Sequence, residues 1–428
     1  MESTTEFIYQ KYINCSGVCT DTRNIIPNTI FFCLKGENFD GNNFVNEALE
    51  KGAKYVVTEN TNFKKHPHCI CVDDSLRSLQ DLSLYHRRKC SIPIIGITGT
   101  NGKTTTKELL VAVLSKKYRV AYTKGNFNNH IGVPLTLLSI QKEDEIAVVE
   151  MGANHPGEIA QLCKLVLPDF GVITNIGKAH IEGFKTFENI INTKKALYQA
   201  VINRGGTLFV NKNDDLLMSL INGYKSIIYY NPELLLVDTC EVELLHLSFL
   251  LNKKEVRTHL TGKYNLNNIL AAIVIGDFFN VTTDDIIQAI EEYTPTNSRS
   301  QIVKEGNNTI IADFYNANPS SMKAALLNLH EHNHPSKLAI LGEMRELGNS
   351  SFEEHQKIIE LCNELNIKTL FIGEAFCEHN PPLCFATVSD LNAYLQRTPI
   401  QNSLILLKGS RRSEEHTSEL QSPRCISY

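Results

Sequence analysis

The segment Gly96–Glu108, GITGTNGKTTTKE, carries the residue types of a phosphate-binding loop at an unusual spacing. The common pattern is a glycine, four residues, then Gly-Lys-Ser/Thr. Counted back from Gly102-Lys103-Thr104, that first glycine falls on Ile97; Gly96 is too early and Gly99 too late. The context still suits an anion, because an apolar run ends in small and hydroxylated residues and a helical pattern follows. Backbone N–H groups at the helix start would face phosphate, Lys103 would reach the β/γ-phosphates and Thr104 would offer its hydroxyl to Mg²⁺. The plainer alternative is a glycine-rich turn with an exposed lysine. Further along, EMGANHPGEI sets Glu150 at the end of a strand-like run, where a carboxylate level with the loop suits a hard cation. NIGKAHIEGF presents His180 beyond another such run, at the end of a strand where open α/β sheets bind ligands. The adjacent Lys194 and Lys195 of INTKKALY read, from the residues alone, as two lysines on a helix surface.

The elements that must position these residues alternate. IPIIGI, EIAVVEMG, FGVITNIG and GTLFVN are continuous apolar runs, as expected of a parallel sheet covered on both faces. TTTKELLVAVLSKK has helical spacing. Before them, residues 1 to about 88 read as a small α/β unit with strands TIFFCL and AKYVVT around the helix NFVNEALEKG, closed by a helix over SLRSLQDLSLYHRRK. A third alternation begins near residue 300, with strands NTIIADF, KLAILG, KTLFIG and SLILLKG and helices SSMKAALLNLHEH, FEEHQKIIELCNELN and SDLNAYLQR. The polar, proline-containing EEYTPTNSRSQ marks the boundary. The expected organisation is therefore three α/β domains, over 1–88, 89–296 and 297–411.

Length and composition agree. At 428 residues the chain is too long for one core. A net charge of −5 without a long basic run points away from nucleic acid and membrane surfaces. No apolar run reaches membrane-spanning length. The twelve cysteines are scattered, without zinc-finger spacing, and MESTTEFIYQ lacks the features of a signal peptide. Reduced, mostly buried thiols in a cytoplasmic protein are expected. The last stretch, RSEEHTSELQSPRCISY, continues neither strand nor helix and resembles an in-frame translation of a sequencing adapter. Residues 412–428 are therefore expected to be an artefact replacing the natural C-terminus; a disordered tail is the alternative.

TGTNGKTTT resembles the ATP loop of the Mur ligases and folylpolyglutamate synthetases, which join a carboxylate to an amine at the expense of ATP. The resemblance implies a UDP-substrate domain, a central P-loop ATPase domain with a mainly parallel sheet and a C-terminal Rossmann-like domain. It gives ATP to Gly99, Thr100, Asn101, Gly102, Lys103, Thr104 and Thr105. It implies two Mg²⁺ ions, one held by Thr104 and Glu150, the other by His180 and a lysine carbamylated by CO₂. Spacing to Tyr198 selects Lys194 for that lysine, with Lys195 one place away. LTGKYNLNNILAAI resembles the family segment with two asparagines, Asn265 and Asn268, although Tyr264 stands where many relatives have histidine. Asn268 is the candidate for adenine, Asp313 for the ribose and Arg299 for the γ-phosphate, while Lys408 in KGSR would face the reaction centre.

The segments TDTR and LKGENFDG resemble those that cradle UDP in the family, giving Thr22, Arg23, Lys35, Gly36, Asp40 and Gly41. KGNFNNHIGVPLTLL, with Asn128 and Asn129, and YNANPSSM, with Asn316 and Asn318, resemble the branch that adds D-alanyl-D-alanine to UDP-N-acetylmuramoyl-tripeptide. The resemblance runs from about residue 20 to Arg411. A cytoplasmic monomer that completes the peptide of a peptidoglycan precursor is implied. Another amide ligase of the family, and a P-loop kinase or regulatory ATP-binding protein, are the rivals.

Overall fold

The run IPIIGI forms the strand Ile94–Thr98, buried at every residue, in the middle of a six-stranded sheet. In the computed structural model, residues 3–36, 39–221, 223–235, 237–239, 245–295 and 299–410 are described. The expected artefact tail, 412–428, lies outside the described residues, as do 296–298 of the boundary segment. The central sheet runs Ile227–Tyr230, Thr207–Asn211, Phe170–Ile173, Ile94–Thr98, Ile146–Glu150, Val120–Tyr122, and every neighbouring pair is parallel. Its four inner strands are mostly apolar and buried because both faces are covered, while the edge strands Ile227–Tyr230 and Val120–Tyr122 are partly exposed. The helices Lys103–Leu114, Leu266–Phe278 and Thr283–Glu292 pack on one face. Gly132–Leu138, Glu158–Val166 and Phe187–Asn203 pack on the other. Register aligns Ile97 with Glu150 and Thr98 with Ile173. The carboxyl ends of the three middle strands are thus level, which is where an open parallel sheet presents ligands.

Two flanking units complete the chain. The N-terminal unit has a four-stranded parallel sheet of Val18–Cys19, Ile30–Phe32, Tyr55–Thr58 and Cys69–Cys71. Its closing helix, Ser75–Lys89, begins at an Asp74 cap and ends with Arg87 buried against the central unit. The Arg87 guanidinium donates to the carbonyls of Val166, Leu167, Cys90 and Ile92 and to Asp169. The C-terminal unit has a six-stranded sheet ordered Gln301–Glu305, Asn308–Ala312, Leu404–Lys408, Lys337–Gly342, Lys368–Ile372, Cys384–Phe385. Its first pair is an antiparallel hairpin turning at Gly306, and the rest are parallel.

Among the described residues, no helix is long and apolar enough to cross a membrane. One thiol expectation is corrected. Cys377 and Cys384 form a disulfide, because the helix Glu374–Cys377 turns straight back into the strand Cys384–Phe385 and brings the two side chains together. The other described cysteines are free. A three-stranded antiparallel meander, Val237–Thr239, Ser248–Leu251 and Lys254–Arg257, had no counterpart in the sequence reading.

Candidate active site

The level strand ends open into a cleft of about 840 Å³ between the central and C-terminal units. Its floor is the loop Gly99–Gly102. Gly99 and Gly102 both have positive φ, at 151° and 79°. A Cβ at Gly99 would come 1.9 Å from the Thr174 hydroxyl, and one at Gly102 would come 2.5 Å from Asn268 Oδ1. These two positions therefore require glycine, while Ile97 lies buried in the preceding strand. The loop is held from the neighbouring strand: Asn175 Oδ1 accepts from the Asn101 N–H at 3.0 Å, and the Thr174 hydroxyl donates to the Asn101 carbonyl at 2.6 Å.

Cations converge here. Lys103 Nζ donates to the carbonyls of Gly99 and Thr100, and Lys194 Nζ donates to the same Gly99 carbonyl at 2.9 Å. Burial pulls the Lys194 ammonium well below the usual lysine range, and the Lys103 charge adds to it. Lys103 is also lowered by burial, with Glu150 opposing and Arg299 reinforcing the shift. Arg299 comes from the C-terminal side and lies over the Tyr315 ring at 3.6 Å. Glu150 is 1 % exposed. Its Oε1 accepts from Asn128 at 2.8 Å and from the Thr104 hydroxyl at 3.3 Å, whereas Oε2 is buried without a hydrogen-bond partner. A buried carboxylate oxygen left in this way, beside a hydroxyl and close to cations, fits a divalent cation and anionic phosphates.

The sequence-predicted residues separate into two sets. Gly99, Thr100, Asn101, Gly102, Lys103, Thr104, Thr105, Glu150, His180, Lys194, Asn268, Arg299, Asp313 and Lys408 all line the cleft, as do Asn128, Asn129, Asn316 and Asn318. Within this set some side chains mainly support others. Lys408 Nζ donates to Asp313 at 2.7 Å and to the Asn316 carbonyl, so its charge is matched by Asp313. The Asn268 amide accepts from Thr106 and donates to Asn265. Asn318 caps the helix Pro319–Glu331 and donates to Asn101 across the cleft at 2.9 Å.

The cleft lining contains none of Thr22, Arg23, Lys35, Gly36, Asp40 or Gly41. Those lie on the N-terminal unit, where Arg23 pairs with Asp21, Lys35 with Glu59, and Asp40 caps Asn42. Of the two adjacent lysines, Lys194 lines the cleft and Lys195 does not. Asn175, Tyr315 and Glu346, which contacts His180 Nδ1 from the C-terminal unit, were missed by the sequence reading. Asn175 had a local signal at the end of the run FGVITN, and Tyr315 opens the segment YNANPSSM.

Comparison with known proteins covers the whole arrangement. Residues 97–276 match the Mur ligase middle domain, 298–411 the domain described as Mur ligase, glutamate ligase domain, and 14–78 the Mur ligase family catalytic domain. The UDP-N-acetylmuramoyl-tripeptide--D-alanyl-D-alanine ligase of Bacillus subtilis (strain 168) is 34% identical, covering 92% of this chain and 90% of its own. The enzyme of that name from Escherichia coli (strain K12) is 30% identical over 85% of this chain and 82% of its own. A crystal structure of MurF from Acinetobacter baumannii superposes with a TM-score of 0.83 at 30% identity, covering 98% of each chain. MurF ligase from Thermotoga maritima in complex with ADP gives a TM-score of 0.84 at 26% identity, covering 97% of this chain and 98% of that one.

Proposed function

Because this chain belongs to the Mur ligase family, we propose that it is the ATP-dependent ligase joining UDP-N-acetylmuramoyl-tripeptide to D-alanyl-D-alanine in peptidoglycan precursor synthesis. The observation that carries the reading is the cleft itself. One buried carboxylate, Glu150, has an unpartnered oxygen in a cleft that Lys103, Lys194 and Arg299 also line, together with a glycine loop that leads into a helix.

In the proposed reaction the terminal carboxylate of the tripeptide attacks the γ-phosphorus of ATP. The bond to the β–γ bridging oxygen breaks, ADP leaves and an acyl phosphate forms. The free amine of D-alanyl-D-alanine then attacks the acyl carbon; phosphate departs with the bonding pair, and the amine gives up a proton as the amide forms. The protein's contribution is positioning and charge. Lys103 and the loop N–H groups hold the phosphates, and Arg299 meets the γ-phosphate from the C-terminal unit. Asn268, bonded to Thr106 and Asn265, is assigned to the adenine, and Asp313, paired with Lys408, to the ribose. Because water would hydrolyse the acyl phosphate, the cleft between the two units should close and exclude water before it forms.

Thr104 and Glu150 are the residues that would hold Mg²⁺, which supplies charge neutralisation at the phosphates when bound. His180 and Lys194 would serve a second ion. Lys194 suits carbamylation, because burial and Lys103 favour its neutral amine, which adds to CO₂ with loss of a proton and becomes an anion. Asn128, Asn129, Asn316 and Asn318 are assigned to the substrates in the cleft; Thr22, Arg23, Lys35, Gly36, Asp40 and Gly41 are assigned to the UDP end. We place the enzyme in the cytoplasm as a monomer.

Phosphate release tests the reading. It should require UDP-N-acetylmuramoyl-tripeptide and D-alanyl-D-alanine together, and be far slower with a UDP-muramoyl dipeptide plus a diamino acid. The reverse preference would make it another amide ligase of the family. ADP release independent of D-alanyl-D-alanine would sink the ligase reading.

A further inference from the structure

His180 belongs to the central unit, but much of what fixes it belongs to the C-terminal unit. Its Nδ1 meets the Glu346 carboxylate. Two residues on, the Glu182 N–H donates to the Glu346 carbonyl at 3.0 Å, so Glu346 grips the segment by both backbone and side chain. On one side of His180, Lys178 Nζ pairs with the buried Glu354 at 3.0 Å. On the other, Ile181 packs onto the C-terminal core. Both partners adopt the left-handed backbone, with φ of 52° at His180 and 62° at Glu346. That is uncommon for residues with a Cβ and persists where the surroundings dictate it. His180 lines the cleft, whereas Glu346 is absent from its lining.

An imidazole has two nitrogens, and the bond made by one decides what the other offers. A carboxylate at Nδ1 retains the proton there and leaves the Nε2 lone pair for a ligand. Carboxylates supporting metal-bound histidines act in this way. Glu346 and His180 are 166 positions apart in the chain, so only the packing of the two units brings them together.

We propose that Glu346 is a positioning residue for the ligase: from the C-terminal unit it holds His180 with Nδ1 protonated, so that Nε2 faces the cleft. The inference rests on reading His180 as a ligand of the second cation. It makes that corner of the site a product of both units, with Glu346 acting through His180 and Arg299 acting directly.

The first test uses the full-length protein without metal or nucleotide, with ¹⁵N-labelled histidine. The wild type should show His180 as the Nδ1–H tautomer. Glu346→Asn shortens the side chain but tolerates the left-handed backbone, so the fold should persist while Nε2–H appears. Glu346→Gln keeps an acceptor and should largely retain the wild-type tautomer. Glu354→Gln removes the carboxylate that pairs with Lys178 and Lys357, without touching His180 or Glu346, and should leave the tautomer unchanged.

The second test is a Mn²⁺ titration with ADP present. Glu346→Asn should weaken one Mn²⁺ by about 10–100-fold and leave the other unaltered, with Glu346→Gln close to wild type. An unchanged His180 tautomer in Glu346→Asn overturns the proposal. So does a shift in Glu354→Gln as large as that in Glu346→Asn, since general docking would then be the cause. If His180→Ala binds Mn²⁺ as the wild type does while Glu346→Asn still shifts the tautomer, the cation reading of His180 fails and the Glu346 hold on the ring stands.

Discussion

Lys194 and Lys195 are adjacent in sequence and have different surroundings. Lys194 is 4 % exposed with Nζ on the Gly99 carbonyl, and Lys195 lies outside the cleft lining. Lys194→Ala should lower kcat on the order of 10²–10³-fold, the usual cost of removing a charged group aimed at the reacting centre. Lys195→Ala should stay within about twofold, as surface substitutions do. Steady-state phosphate release under saturating substrates compares them, and equal losses would overturn the assignment. At this scale, residues inside long motifs were legible: Lys103, Thr104, Glu150, His180 and Arg299 all reach one cleft. Glu346 was not, because nothing local in LGEMRELG says which strand end it will face. The commitment of Lys408 to Asp313 was hidden for the same reason, with 95 positions between them.

The loop and its helix show how an element sets chemistry. Helix Lys103–Leu114 starts at Gly102, whose left-handed φ and contact with Asn268 leave no room for a side chain. Gly102→Ala should cost about 1–2 kcal/mol through the backbone alone and displace Asn268 from Thr106. The expected readouts are a lower melting temperature and a KM for ATP raised on the order of tenfold. An unchanged KM would mean that the loop relaxes freely. Elements with continuous apolar runs, such as Ile146–Glu150, were readable because burial on both faces removes any need for alternation. The hairpin strand Gln301–Glu305 was not, since this edge strand is only partly buried and reads QIVKE. Helix Leu266–Phe278 is buried on nearly every side, so it lacks the polar stripe that marks a helix.

Across the whole molecule, the two junctions differ in kind. The N-terminal and central units are joined through Arg87, whose N–H groups meet four carbonyls and Asp169, and through Tyr12 and His86, which bond the carbonyls of Leu138 and Ile140. The C-terminal unit is joined largely by side-chain pairs: Asn101 with Asn318, Lys178 with Glu354, His180 with Glu346. Calorimetry should therefore show the first two units melting as one transition. Arg87→Ala should lower that transition by on the order of 3 kcal/mol, because buried carbonyls lose their donor. A transition unmoved by the substitution would count against the coupling. The Asn101–Asn318 contact has one more consequence. Two amides carry no net charge, so dissolved ions do not screen them, whereas the half-exposed Lys178 weakens its hold on Glu354 as ionic strength rises. The phosphate loop and the helix it faces therefore keep their register in dilute buffer and in concentrated salt alike.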